Sequence, residues 1–258
     1  MKTKLDIIAL EAMSGHSKWS TIKHQKAAND IAKGKLFSKL ARAITIAIKT
    51  GSGADPESNY KLRMIIDTAR AANMPKENIE RAISRASSEG ANLEAVTYEG
   101  FGPLGVNVLV DATTDNRNRT VAEIKKLFER GGGTLGGPGS VSFNFSPKGM
   151  LVIKKANDVD SQTLSLIDLG VEDIEDVGGD LEIFVDPSKL SSTKESVEKL
   201  GFQVLSAELI QKPKTVKVLG NETDAAKVLN FLDSLEEHDD VQKVFSNIDV
   251  PDEILGKL

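Results

Sequence analysis

VTYEGFGPLGVNVLVDATT, residues 96 to 114, is where the chain changes period. Its residues alternate about a Gly/Pro turn and read as two strands, whereas everything before it repeats with helical spacing. From Ser20 to Lys49 there is no proline and one glycine, Gly34, which predicts two helices broken near Ala32 to Gly34. After the loop GSGADPESN (51 to 59), Tyr60 to Ala72 reads as a third helix, and Pro75 opens a fourth over Lys76 to Ser87. The helical part therefore ends near Asn92. Downstream, Arg119 to Arg130 reads as a helix and SVSFNFS (140 to 146) as a strand with alternating Val141, Phe143 and Phe145.

The next segments are MLVIKK (150 to 155), a helix over Ser161 to Leu169, strands over Glu172 to Val177 and Leu181 to Val185, a helix over Pro187 to Leu200 and a strand over Phe202 to Ile210. Their order, β-α-β-β-α-β, is that of a ferredoxin-like unit. The last strand, helix and strand come after this unit closes and pair most simply with residues 93 to 147. The expected architecture is α+β and multidomain. A helical domain (14 to 92) precedes two α/β domains, of which the third (148 to 212) is inserted into a discontinuous second (93 to 147 plus 213 to 258). Residues 1 to 13 read as a leader, since Asp6 and Glu11 interrupt the apolar stretch a secretory signal would need and Met13 offers a second start.

Charge is distributed as unevenly as period. Residues 14 to 49 hold eight cations, Lys18, Lys23, Lys26, Lys33, Lys35, Lys39, Arg42 and Lys49, against Asp30 alone, a net +7 on a chain of net charge −5. Residues 1 to 13 and 50 to 92 are each neutral, so 93 to 258 carries −12. A basic end on an acidic body suits a module that meets a polyanion while the rest stays soluble. At about 100° per residue, Lys35, Lys39, Arg42 and Lys49 fall on one arc, and Phe37, Leu40, Ile44 and Ile48 fall opposite. Ile46 is the exception, lying near the basic arc. Trp19 beside Lys18 adds an aromatic that could stack on a base.

Other chemistry is sparse. The chain has no cysteine, hence no disulfide or thiolate site, in keeping with a reducing, cytoplasmic setting. Its longest apolar run, Ala43 to Ile48 with Thr45 inside, is far short of the roughly 20 residues of a membrane helix. GGGTLGGPG (131 to 139) lacks the Lys-Ser/Thr of a phosphate-binding loop and reads as a helix stop followed by a mobile loop. TTDNRNRT (113 to 120) reads first as helix-capping residues, with Arg117 and Arg119 as a second phosphate contact at a helix start. LEEHDD (235 to 240) reads as a solvated turn. His16, His24 and His238 have no metal-ligand spacing, and no catalytic constellation is visible. No enzyme activity, cofactor, metal or small-molecule substrate is expected. Oligomeric state is not legible.

Six segments carry a resemblance: GHSKWSTIKHQKAA (15 to 28), GKLFSKLARAI (34 to 44), ARAANMPKENIERAI (69 to 83), YEGFGPLGVNVLVDATTDNRNRT (98 to 120), GSVSFNF (139 to 145) and DDVQKVFSNID (239 to 249). They are similar to the pattern of the YebC/PmpR family, which includes the mitochondrial translational activator of cytochrome oxidase, and span nearly everything after Met13. The resemblance implies the same three-domain layout and a protein without enzymatic activity. It also implies a role in gene expression, since members are described as DNA-binding transcriptional regulators and others as acting on translation at the ribosome, some by relieving stalls on proline-rich nascent chains. Gln25 stands where a basic residue is usual, and Asn29 to Lys33 departs from the common DAKRG-like segment, which thins the positive face. Three readings stay open: a DNA-binding transcriptional regulator, a ribosome-binding translation factor, and a protein-interaction scaffold with solvated lysines.

Overall fold

The computed structural model describes residues 30 to 88 and 93 to 258. Helix α1 (Asp30–Thr50) passes through Gly34 without a break, which corrects the interruption expected near Ala32 to Gly34. One glycine in a helix interior costs only about 1 kcal/mol. The buried stripe Leu40, Ile44, Ala47 and Ile48 offsets that cost, and the Ser38 hydroxyl donates to the Gly34 carbonyl at 3.1 Å. The helix expected upstream, from Ser20, lies almost wholly outside the described residues.

The stripe packs on Leu62, Ile66 and Ala69 of α2 (Tyr60–Ala71) and on Ile79 and Ala82 of α3 (Lys76–Ser88). Asn59 joins the first two helices. Its side chain accepts from the Leu62 amide at 3.1 Å as an N-cap, and donates to the carbonyls of Ala47 at 2.8 Å and Gly53 at 2.7 Å.

Beyond the helices, β1 (Glu94–Phe101) and β2 (Asn107–Thr114) pair antiparallel about the Gly/Pro turn, from Glu94↔Thr114 to Phe101↔Asn107. The sheet is completed by β3 (Thr134–Leu135) and β9 (Val241–Ser246), in the order β3-β1-β2-β9. Helices α4 (Arg117–Gly131) and α7 (Glu222–Glu236) cover one face, burying Ile124, Phe128, Leu229, Phe231 and Leu232 against Val108, Val110 and Ala112. Phe128 meets Phe231 edge to face, with centroids 5.2 Å apart. Leu109 points to the opposite face, as strand alternation requires, and joins Val141, Phe145 and Phe245 in a separate apolar cluster.

A second four-stranded antiparallel sheet has the order β5-β6-β4-β7. Its elements follow as β4 (Phe145–Lys154), α5 (Val159–Asp168), β5 (Asp173–Val177), β6 (Asp180–Val185), α6 (Leu190–Lys199) and β7 (Val204–Pro213). Leu151, Ile153, Leu166, Ile183 and Val197 form its core. The chain leaves the first sheet at Asn144 and returns at Thr215, and Asn144 holds the two passages together. Its side-chain carbonyl accepts from the Thr215 amide at 3.1 Å and hydroxyl at 2.7 Å, and its amide donates to the Thr215 carbonyl at 3.2 Å. After β8 (Lys217–Val218) and α7, β9 rejoins β2, and β10 (Ile248–Asp249) pairs parallel with β8 before the short α8 (Asp252–Leu255).

Two expectations fail between residues 131 and 146. SVSFNFS is not one strand: Ser142 to Asn144 form a 3-10 turn, with Val141 buried and Phe143 67% exposed, and the strand starts only at Phe145. The cause is Glu99. Its carboxylate accepts from the amides of Gly139 at 2.8 Å, Val141 at 2.9 Å and Ser142 at 2.8 Å, leaving none of these for a ladder. Burial by itself would raise the Glu99 pKa, but the three amides outweigh it and the net shift is downward. The glycine-rich stretch, expected to be mobile, is held at both ends, by β3 pairing with β1 and by Glu99. Gly132 does stop α4 in the left-handed conformation, at φ 80°. Gly131 has no room for a side chain, since a Cβ there would collide with the Phe231 ring.

Among the described residues, no helix is long and apolar enough to cross a membrane.

Candidate nucleic-acid interface

The apolar arc expected for α1 is the one it buries, with Leu40 8%, Ile44 0% and Ile48 9% exposed. Its opposite arc divides. Lys33, Lys35 and Lys49 are exposed, whereas Lys39 and Arg42 are half-buried because this stretch of the helix rests against the end of α7. Lys39 donates to the Glu236 carbonyl at 2.5 Å, one of the last-turn carbonyls of α7 that lack an intrahelical partner. Arg42 donates to the Asp239 carbonyl at 2.9 Å and to Asp240 Oδ1 at 2.6 Å. Lys49 reaches the Leu93 carbonyl at 3.4 Å. Lys18, Trp19, Lys23 and Lys26 lie outside the described residues.

Asp240 is the centre of this junction. Its other oxygen, Oδ2, accepts from Arg119 at 2.8 Å and from the Thr120 hydroxyl at 2.7 Å, so one carboxylate joins α1 to the first turn of α4. Its carbonyl also accepts from the Thr113 amide at 2.7 Å, fixing the backbone beside β2. The side chain is only 4% exposed. Burial pushes its pKa up, but the Thr120, Arg119 and Arg42 donors outweigh burial and hold it at about 2. The turn at LEEHDD is solvated at Glu237 and Asp239, as expected, but at Asp240 it is a buried polar junction. The signal missing from sequence was the arrival of two arginines from 198 and 121 residues away.

His238 completes the cluster. Its Nδ1 accepts from the Asp240 amide at 3.1 Å, so in the neutral ring the proton sits on Nε2, which faces Glu123 Oε2 at 3.0 Å. Glu123, His238 and Asp240 could each turn a ligand atom to one point, those atoms lying within 4.8 Å of one another. The donor set does not suit a metal ion. Both Asp240 oxygens are occupied, Nδ1 is taken, and a cation would sit beside the Arg42 and Arg119 guanidiniums.

At the start of α4 the capping expectation is met: the Asn116 side chain accepts from the Arg119 amide at 3.1 Å, and Thr114 accepts from the Asn116 amide at 2.9 Å. Arg119 is engaged by Asp115 at 2.9 Å as well as by Asp240. Arg117 is exposed at the first position of the helix. Further along α4, Lys126 and Arg130 face an open groove of about 600 Å³ that also receives Lys35 of α1. Neither residue was singled out from the sequence. The readable signal was their spacing from Arg119, seven and eleven residues on, which keeps all three on one side of a helix.

Similarity to known proteins covers the same ground. Residues 17–89 match the family model described as the TACO1/YebC protein N-terminal domain, and residues 93–248 match that of the TACO1/YebC second and third domain. A "probable transcriptional regulatory protein" of Dictyoglomus thermophilum is 48% identical over 250 residues, covering 95% of this chain and 100% of the relative. A protein of the same description from Nitrosococcus oceani is 46% identical over 249 residues, again covering 95% and 100%. The crystal structure of a conserved hypothetical protein from Aquifex aeolicus superposes with a TM-score of 0.79 at 43% identity, covering 88% of this chain and 94% of that one. By sequence and by fold, this chain belongs to the TACO1/YebC family.

Proposed function

We propose that this protein is a non-enzymatic, cytoplasmic regulator of gene expression that binds nucleic acid, acting as a DNA-binding transcriptional regulator of the YebC/PmpR type. The observation that carries the reading is the charge division: +7 over residues 14 to 49 and −12 over 93 to 258. The helix at the centre of the basic segment turns Lys33 and Lys35 to solvent while burying its other side. Cations so placed gain by releasing counterions condensed on a nucleic acid. The relatives' descriptions as transcriptional regulatory proteins support the same reading. The strand order β5-β6-β4-β7 supports treating residues 148 to 212 as a ferredoxin-like domain inserted into a discontinuous second domain.

The test is binding of the full chain to promoter and scrambled duplexes at physiological salt, with Lys18, Lys23, Lys26 and Lys35 reversed to Glu in a companion variant. Lys39 and Arg42 are unsuitable for reversal because both hold the junction with α7. Preference for promoter DNA, lost in the variant, is the expected result; equal binding of both duplexes would remove specific transcriptional regulation.

One observation favours a second reading, a ribosomal-RNA-binding translation factor. The outward cations of α1 are lysines, and its one arginine is held by Asp240. Lysine contacts phosphate without reading a base edge, which suits a structured RNA as well as a promoter. Ribosome profiling of a deletion strain checks it, the expected result being increased pausing at proline runs.

A further inference from the structure

We propose that the groove between α1 and α4 is a second phosphate-backbone site, in which Lys35 from one wall and Lys126 and Arg130 from the other grip a single nucleic-acid strand. The inference rests on the nucleic-acid-binding reading above and adds where the second contact lies. Helix α4 is a basic exception in an acidic region. It carries Arg117, Arg119, Lys125, Lys126 and Arg130 against Glu123 and Glu129, a net +3, inside the stretch whose total is −12.

Of the cations lining the groove, Arg42 and Arg119 are held by Asp240, and three others are not. Among the described residues, Lys35, Lys126 and Arg130 form no ion pair, whereas Lys125, one position away and outside the groove, faces Glu129 at 3.8 Å. Lys126 and Arg130 are one helical turn apart, about 6 Å along the axis. Three cations that converge on one concavity without an ion pair among the described residues attract an anion.

Shape and lining narrow the ligand. The groove is open, and among the described residues Leu127 is its only apolar lining residue. Small-molecule sites are enclosed and mostly apolar, so a solvated polyanion fits better. The concavity also continues along α1, where a second hollow of about 360 Å³ shares Lys35, Arg42 and Asp239 with the first and ends at Gly34. Among the described residues, nothing lies within 4 Å of where a Gly34 side chain would begin. An extended strand, rather than an isolated phosphate, matches a trough of this form.

Two acids oppose binding. Glu237 and Asp239 are exposed on the rim, while Glu123 is engaged by His238, and Asp240 by Arg42, Arg119 and Thr120. Asp240 sets the spacing of the walls, since it holds Arg42 of α1 and Arg119 of α4 on its two oxygens. Closure of that junction is what brings Lys35 opposite Lys126 and Arg130.

The test is fluorescence anisotropy of a labelled short DNA duplex and, separately, a labelled RNA stem-loop, titrated with the full chain across a salt series. Lys126→Gln with Arg130→Gln is compared with Lys125→Gln and the unaltered protein, folding being checked by thermal unfolding. All three substituted positions are exposed. The groove variant is expected to bind at least one probe about tenfold more weakly, with a log-log salt slope shallower by about 2, each phosphate contact contributing roughly 0.9. Lys125→Gln should change affinity less than twofold. Equal effects of the groove and Lys125 variants would reduce α4 to a general field and overturn the site. If the unaltered protein bound neither probe, the functional reading would fall with it; binding that is unchanged in the groove variant removes the groove alone.

Discussion

The second unit is joined to its two neighbours by different chemistry. Toward the helical unit the contacts are charged and polar: Lys39 and Arg42 meet two carbonyls and the Asp240 carboxylate, and Arg42 keeps 34% of its side chain exposed. Toward the third unit the chain crosses twice, Asn144 joins the crossings, and Phe145, the first residue of β4, plugs into an apolar cluster with Leu109, Val141 and Phe245. Lys243 adds an ion pair to Glu208 at 2.6 Å. An apolar plug responds little to salt, whereas exposed ion pairs are screened. The first junction is therefore the adjustable one, and it is the one that borders the basic groove.

The largest effect that would test this contrast is Phe145→Ala. Removing a ring 5% exposed should lower stability by about 3 to 4 kcal/mol, equally at low and high salt, as measured by denaturant unfolding. A salt-dependent loss would contradict the assignment of an apolar junction.

The next largest concerns acid. A carboxyl whose folded pKa is depressed contributes stability that is complete above its unfolded value and is lost as pH falls through the folded one. For Asp240, held at about 2, the window runs from about pH 4 down to about pH 2, and the contribution at neutral pH is on the order of 2 kcal/mol. Urea midpoints of Asp240→Asn should therefore fall less steeply over that window than those of the unaltered protein. Glu99, also shifted down, contributes to the same slope in both proteins.

Asn144→Ala should come third, at about 1.5 to 2 kcal/mol, because the Thr215 amide and hydroxyl lose their acceptor. Amide hydrogen exchange around Thr215 reads the effect locally. Arg42→Ala should be smallest, about 1 kcal/mol at low salt, since the arginine is partly exposed and Asp240 keeps Arg119 and Thr120. The loss should shrink further at high salt. If Arg42→Ala cost more than Phe145→Ala, the ranking of the two junctions would be reversed.

What could be read from sequence follows the range of the interaction. The inward face of α1, the Asn116 cap, the β1–β2 hairpin and the strand and helix order of residues 145 to 213 depend on neighbours a few residues away, and periodicity exposes them. The turn at Ser142 to Asn144 depends on Glu99, 43 residues distant from Ser142, so an alternating apolar pattern was misleading there. Gly34 failed as a break because tertiary burial of one helix face exceeds the local cost of a glycine. At the candidate interface, the arc of cations on α1 was legible. The commitment of Lys39 and Arg42 to α7 and Asp240 was not, nor was the facing pair on α4, since both require knowing which helices meet.

The measurement closest to the central claim is the salt dependence of nucleic-acid binding by the full chain, compared with a variant carrying Lys18→Glu, Lys23→Glu, Lys26→Glu and Lys35→Glu. All four positions belong to the basic segment. Steep log-log dependence is expected for the unaltered protein, and for the variant an affinity at least about 100-fold lower with a slope shallower by about 3 to 4. Identical affinity and slope in the two proteins would mean that these lysines are merely solvated, contradicting a nucleic-acid interface on the basic segment.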